Sequence, residues 1–202
     1  MNEATRIRLF WSAQSRASRA VWMLNECDVD YARVPVDLKV EPHSDDPDFL
    51  RASPMGKVPA LVDGDVVIAE SAAICTYLAD RYAGGRLAPA LDAAERGPYL
   101  YWMFYAPAVI EPAMSEKFNN VTPNRGSNGW GDFDTMIATL EAGLADSPWI
   151  LGNDFSAADV MLGSSTVFMR MFKVLPDSAV LNAYADRCLA RDGYRAALAL
   201  EQ

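Results

Sequence analysis

Two hydrophobic periods alternate along this chain as far as Tyr82, and only one of them continues beyond it. That switch restricts the fold to an α/β segment followed by an all-helical one. Arg6 to Trp11 sets Ile7, Leu9 and Trp11 on one face, the period of two that marks a strand. From Ser15 to Cys27 the period changes. Ala17, Ala20, Val21, Leu24 and Cys27 recur at helical spacing and form an apolar stripe. A second strand is expected at Arg33 to Asp37, and a short helix at Asp46 to Ala52. Val58 to Ile68 holds two short apolar runs joined by Asp63-Gly64-Asp65, a hairpin signal. A further helix runs from Ser71 to about Tyr82.

Gly84-Gly85-Arg86-Leu87-Ala88-Pro89 reads as a linker. Helix-periodic segments follow at Ala93–Phe118, Phe133–Asp146, Ala157–Phe172 and Ser178–Arg191. Pro107 and Pro112 are expected to bend or break the first of these. Asn119 to Asp132, rich in Asn, Gly and Pro, reads as a surface loop. The expected domains are residues 1–83, a linker over 84–91, and a helical domain over 92–202.

The composition excludes several classes. With 202 residues, half of them apolar, the chain can build a sizeable core. A net charge of −9 argues against a nucleic-acid surface, which needs clustered Lys and Arg. The longest nearly apolar stretch, Tyr99 to Ile110, is too short to span a bilayer. MNEATRIRLF carries no apolar core or cleavage site, so no signal peptide is expected. Cys27, Cys75 and Cys188 are odd in number and far apart, which fits neither a disulfide framework nor a metal cluster. A reducing cytoplasm is the expected setting.

Three segments carry candidate chemistry. In Ser53-Pro-Met-Gly-Lys-Val-Pro-Ala-Leu61, Pro59 opens an apolar strand, where it lacks a ladder donor and belongs at an edge or first position. A trans bond at a loop boundary, or a cis bond that leaves the Val58 backbone free for an extended ligand, both suit it. In Ala69-Glu70-Ser71-Ala72, Ser71 stands where a strand gives way to a helix. It is either a helix N-cap or, with the helix dipole, a binder of a ligand carboxylate, and Glu70 beside it suits an ammonium. In Trp11-Ser-Ala-Gln-Ser-Arg-Ala-Ser-Arg19, Ser15 either caps the first helix or donates to a bound thiolate. Arg19 is as well explained by a salt bridge as by a ligand.

In this order and spacing, the three segments resemble the N-terminal, thioredoxin-like domain of glutathione transferases. The resemblance extends to the helical half. Trp149-Ile-Leu-Gly-Asn-Asp-Phe-Ser-Ala-Ala-Asp159 is similar to the family's capping box, with Ser156 as cap, Asp159 at the third helical position, and Phe155 and Val160 as a hydrophobic staple. Tyr184-Ala-Asp-Arg187 through Tyr194-Arg-Ala-Ala-Leu198 resembles its closing helices. The resemblance implies a glutathione transferase fold, an α/β thioredoxin-like domain before an all-α domain, and a cytoplasmic homodimer with glutathione as co-substrate and no metal. It implies no nucleic-acid or membrane partner.

Carried over by position, the resemblance makes Lys57, Val58, Pro59, Glu70 and Ser71 the glutathione-binding residues, with Pro59 cis and Val58 the backbone partner of the glutathione cysteine. Ser15 matches the catalytic serine of the serine-type classes. Arg16, Ala17 and Ser18 depart from the Ser-x-Pro-Cys-Arg pattern, so Ser12 and Ser18 remain rivals. Phe10-Trp11 leave no tyrosine at the end of the first strand, and the turn has no cysteine, which disfavours tyrosine-type and cysteine-type mechanisms. His43 is expected in a solvated loop. An apolar electrophile is expected over the helical domain, with Tyr105 and Arg170 as polar candidates for its pocket. The activity implied is conjugation of glutathione to hydrophobic electrophiles. A glutathione-dependent disulfide reductase or peroxidase, or a non-catalytic binding module, would use the same fold.

Overall fold

The computed structural model describes residues 7–41 and 44–200, so Arg6 and His43 lie outside the described residues. The chain divides into a first compact unit that reaches to Gly85 and resumes at Arg191, and a second over Arg86–Ala190.

The first unit is built on a four-stranded sheet of order β2-β1-β3-β4, from β1 (Ile7–Trp11), β2 (Ala32–Pro35), β3 (Ala60–Asp63) and β4 (Val66–Ala69). β2 runs parallel to β1, while β3 runs antiparallel to both β1 and β4. Asp63 pairs with Val66 across the hairpin, and Gly64 takes the positive φ of 60° that opens the two-residue turn. Alternation assigns the two faces. Phe10, Ala60 and Val62 pack on one side with Phe49 and Ala52 of α2 (Pro47–Ala52), the Phe10 and Phe49 rings 5.3 Å apart. Leu9 and Leu61 point to the other side, which carries α1 (Ala17–Cys27) and α3 (Ser71–Tyr82), packed against each other. Asp46 caps α2 by accepting the Asp48 N–H at 2.8 Å, with Pro47 in its first turn.

The expected stripe on α1 is buried, but so are Arg19, Trp22 and Met23. Trp22 is covered by α9 (Asp192–Ala199), which packs on a second face of α1. Trp22 meets Tyr194 edge-on at 4.8 Å and donates its indole N–H to Glu26 at 2.8 Å. Arg191 grips the same carboxylate through two bonds of 2.7 and 2.6 Å, and Asn25 donates to the Gly193 carbonyl at 3.0 Å.

The second unit is helical: α4 (Arg96–Tyr105), α5 (Glu111–Phe118), α6 (Phe133–Leu144), α7 (Ala157–Met171) and α8 (Ala179–Leu189). A π-helical turn over Ala106–Ile110 joins α4 to α5 and contains Pro107. The wider turn accommodates a ring that would clash with the carbonyl one turn back, so the helix is deformed without stopping. Pro112 sits in the first turn of α5. The box at α7 forms as expected. Asp159, fully buried, accepts from the Ser156 N–H at 2.9 Å and hydroxyl at 3.2 Å, from the Ile150 N–H at 2.9 Å and from the Tyr184 hydroxyl at 2.9 Å. No helix among the described residues is long and apolar enough to cross a membrane.

Candidate active site

The register of the sheet gathers the candidate residues of the first unit. Phe10 pairs with Ala60, and Ala60 pairs with Ala69, so the three share one row. Because β3 runs opposite to its neighbours, the chain just beyond that row is Trp11-Ser12 leaving β1, Val58-Pro59 entering β3, and Glu70-Ser71 leaving β4. Strand spacing of ~4.8 Å sets the outer two only about 10 Å apart. α1 and α3 both lead away from this edge, so two helix N-termini, with outward N–H groups and positive dipole ends, belong to it.

At the middle of the edge the Val58–Pro59 bond is cis, Pro59 is buried, and neither the N–H nor the C=O of Val58 has a partner among the described residues. Lys57 is exposed. At the β4 end, Glu70 takes the N-cap position of α3 with φ 68°, a left-handed value for a non-glycine residue, and its carboxylate makes no capping bond. Ser71 is therefore the first helical residue and not the cap. Its hydroxyl is 7% exposed as part of the residue and makes no hydrogen bond within the described chain.

At the β1 end, α1 begins at Ala17, so Ser15 lies two residues ahead of the helix. Its hydroxyl donates to the Ser12 carbonyl at 2.6 Å and accepts the Ala17 N–H at 3.1 Å. Ser18 donates to the Ser15 carbonyl at 3.0 Å. The Ser12 hydroxyl has no partner among the described residues. The cysteines are remote from such chemistry. All three are buried, and burial pushes the Cys75 thiol up to about 12. Among the described residues, no group of three or more His, Cys, Asp and Glu side chains could hold a metal ion.

In the second unit, Tyr105 is buried, and its hydroxyl, raised above its ordinary value by burial, donates to the Met136 carbonyl at 3.1 Å. Arg170 pairs with Asp186 at 2.7 Å. Both tie helices together. Exposed apolar side chains of this unit include Tyr101, whose ring lies 5.6 Å from that of Tyr105, and a cluster of Phe118, Phe168 and Phe172, each about half exposed, with Phe168 and Phe172 rings 4.4 Å apart and Phe118 6.5 and 6.0 Å from them. Phe168 escaped the sequence reading because apolar residues at helical spacing read as core. Its one signal is the four-residue step to Phe172 at the end of α7.

A mixed sheet of this order with helices on both faces, followed by a helical unit, defines a thioredoxin-like fold with an appended all-α domain. Residues 7–80 match the family description "Glutathione S-transferase, N-terminal domain", and residues 85–187 match "Glutathione S-transferase, C-terminal domain". Glutathione S-transferase 3 of Zea mays is 48% identical over 153 residues, covering 70% of this chain and 68% of that protein. Disulfide-bond oxidoreductase YfcG of Escherichia coli is 28% identical over 167 residues, 76% of either chain. A solved sphingomonad glutathione S-transferase complexed with glutathione has a TM-score of 0.79 and 29% identity, over 96% of this chain and 98% of that one. The chain belongs to the glutathione S-transferase family.

Proposed function

We propose that this transferase conjugates glutathione to hydrophobic electrophiles, and that a serine hydroxyl stabilises the reacting thiolate. The observation that carries the reading is the shared row of Phe10, Ala60 and Ala69, which collects a free backbone, a free hydroxyl and two helix starts at one sheet edge. Glutathione's γ-glutamyl carboxylate suits the α3 N-terminus and the Ser71 hydroxyl, and its ammonium suits Glu70. The Val58 N–H and C=O suit the backbone of its cysteine, with Lys57 and Pro59 on either side. Such pairing is strand-like and fixes the thiol at the β1 end of the edge.

Ser15 is the hydroxyl assigned to the thiolate. Turning its O–H from the Ser12 carbonyl to sulfur exchanges a neutral hydrogen bond for a charge-assisted one. A thiol of pKa ~8.5 is only about 3% ionised at pH 7. Lowering that pKa by ~2 units needs roughly 2.7 kcal/mol. One charge-assisted hydrogen bond at ~1.5–3 kcal/mol and a helix N-terminus at ~0.3–1 kcal/mol supply it. The thiol proton goes to solvent, the sulfur lone pair forms the bond to the electrophilic carbon, and the leaving group departs with its electron pair. Ionisation contributes at most about 30-fold, so further acceleration comes from holding the electrophile. We assign that task to the apolar surface of the helical unit, where the Phe118, Phe168 and Phe172 rings cluster, with Tyr105 and Arg170 as its polar candidates.

The likeness to YfcG favours one second reading, a glutathione-dependent disulfide oxidoreductase working through the thiolate of bound glutathione. Turnover of an aryl halide against turnover of a mixed disulfide separates the two, and glutathione binding without either would leave a binding module. We place the protein in the cytoplasm as a homodimer. Phe168→Ala should raise KM for an aryl electrophile and leave KM for glutathione unchanged; the opposite pattern would remove the aromatic cluster from the substrate side.

A further inference from the structure

The turn that leads into Val58 is locked by one side chain. Ser53 is 2% exposed; its hydroxyl donates to the Lys57 carbonyl at 2.8 Å and accepts the Lys57 N–H at 2.9 Å. Its own N–H donates to the Phe49 carbonyl at 2.7 Å, and its carbonyl accepts the Gly56 N–H at 2.8 Å. Phe49 is fully buried on the α2 face of the sheet. A continuous set of hydrogen bonds therefore runs from the core, through Ser53, to Lys57.

Its consequence lies in the next peptide unit. The Lys57–Val58 bond is not among the cis bonds, so its C=O and N–H point in opposite directions within one plane. Holding the Lys57 carbonyl towards Ser53 aims the Val58 N–H directly away from Ser53. That N–H is the unpartnered donor at the centre of the candidate site. We propose that Ser53 is a positioning residue for glutathione binding: it sets the plane of the Lys57–Val58 peptide and so orients the Val58 N–H towards the ligand. The proposal rests on Val58 being the backbone partner of glutathione. Without the hydroxyl, both backbone groups of Lys57 lose their partner, and the peptide plane is free to rotate before binding, a cost charged against affinity.

The test is calorimetric titration of glutathione into the full-length protein, with steady-state kinetics on an aryl halide. Ser53→Ala should raise the dissociation constant and the KM for glutathione roughly 5- to 10-fold, the worth of one hydrogen bond. KM for the halide, kcat at saturating glutathione and the apparent pKa of the rate profile should stay at wild-type values. Ser53→Thr, which keeps the hydroxyl, should restore the affinity. Ser53→Cys, which keeps the volume but donates weakly, should fall between and serves if the alanine variant does not fold. A folded Ser53→Ala or Ser53→Cys protein with wild-type glutathione affinity overturns the proposal, as does an equal rise in both KM values. Wild-type protein that fails to bind glutathione overturns the site reading itself, a result distinct from either.

Discussion

Phe10 and Ala69 lie on strands that do not touch, yet both pair with Ala60 and so stand in one row of the sheet. Two antiparallel pairings in succession return the chain to its starting direction, so β1 and β4 end at the same edge of the sheet, one on either side of β3. Segments separated by about sixty residues thereby present their ends at one edge, held by strand ladders and not by mobile loops.

Ser71 offers the most direct check on that edge. Ser71→Ala should weaken glutathione binding by about 1.5–3 kcal/mol, the value of a hydrogen bond to a charged group. Calorimetry measures it, and unchanged affinity would take the residue out of the site.

The hydroxyls of Ser12 and Ser15 in the β1–α1 turn and of Ser18 in the first turn of α1 differ in their commitments, which makes them separable. Ser15→Ala should raise the apparent pKa of the pH–rate profile by about 1–2 units and lower turnover more than Ser12→Ala or Ser18→Ala. A dominant effect of Ser12→Ala, whose hydroxyl has no partner among the described residues, would transfer the thiolate contact to Ser12.

The cysteines should be silent in the native state. Burial pushes the Cys75 thiol up to about 12, and Cys27 and Cys188 are buried as well. A chromogenic disulfide reagent at pH 8 should titrate them only after denaturant is added, and Cys75→Ser should keep its activity on an electrophile. Loss of activity there would point to an enzyme thiol in the reaction.

Asp159 accepts from four donors, so its charge-neutral isostere cannot replace it. In Asp159→Asn one end of the amide must present N–H groups to other N–H or O–H donors. Urea unfolding should show a loss of roughly 2–4 kcal/mol. A loss below 1 kcal/mol would mean that the box is dispensable.

The local half of this architecture was legible in the sequence. Ile7, Leu9, Ala17, Ala20 and Leu24 announce their elements through period alone, and Asp46 and Ser156 announce two helix starts. What escaped depended on partners distant in sequence. Trp22 is buried because Tyr194 of α9 covers it from far along the chain, a contact that no local pattern encodes. β2 was expected at Arg33 to Asp37 and pairs instead over Ala32–Pro35, since register is set by its neighbour β1. Ser71 was open to a capping role; the backbone turn at Glu70 gives that position to Glu70. Ser53 gave no signal either, because a serine in a turn is ordinary until its two bonds to Lys57 are seen.

The clasp of Glu26 by Arg191 has a consequence for synthesis on the ribosome. Sheet and α1 emerge early, but the helix that covers Trp22 emerges only after the whole of Arg86–Ala190 has been made. Until then an indole and a carboxylate stand exposed on a nascent domain, a surface on which a chaperone can bind and a misdocked neighbour can settle. Translation speed through the second unit thus sets how long the first must wait for its final segment.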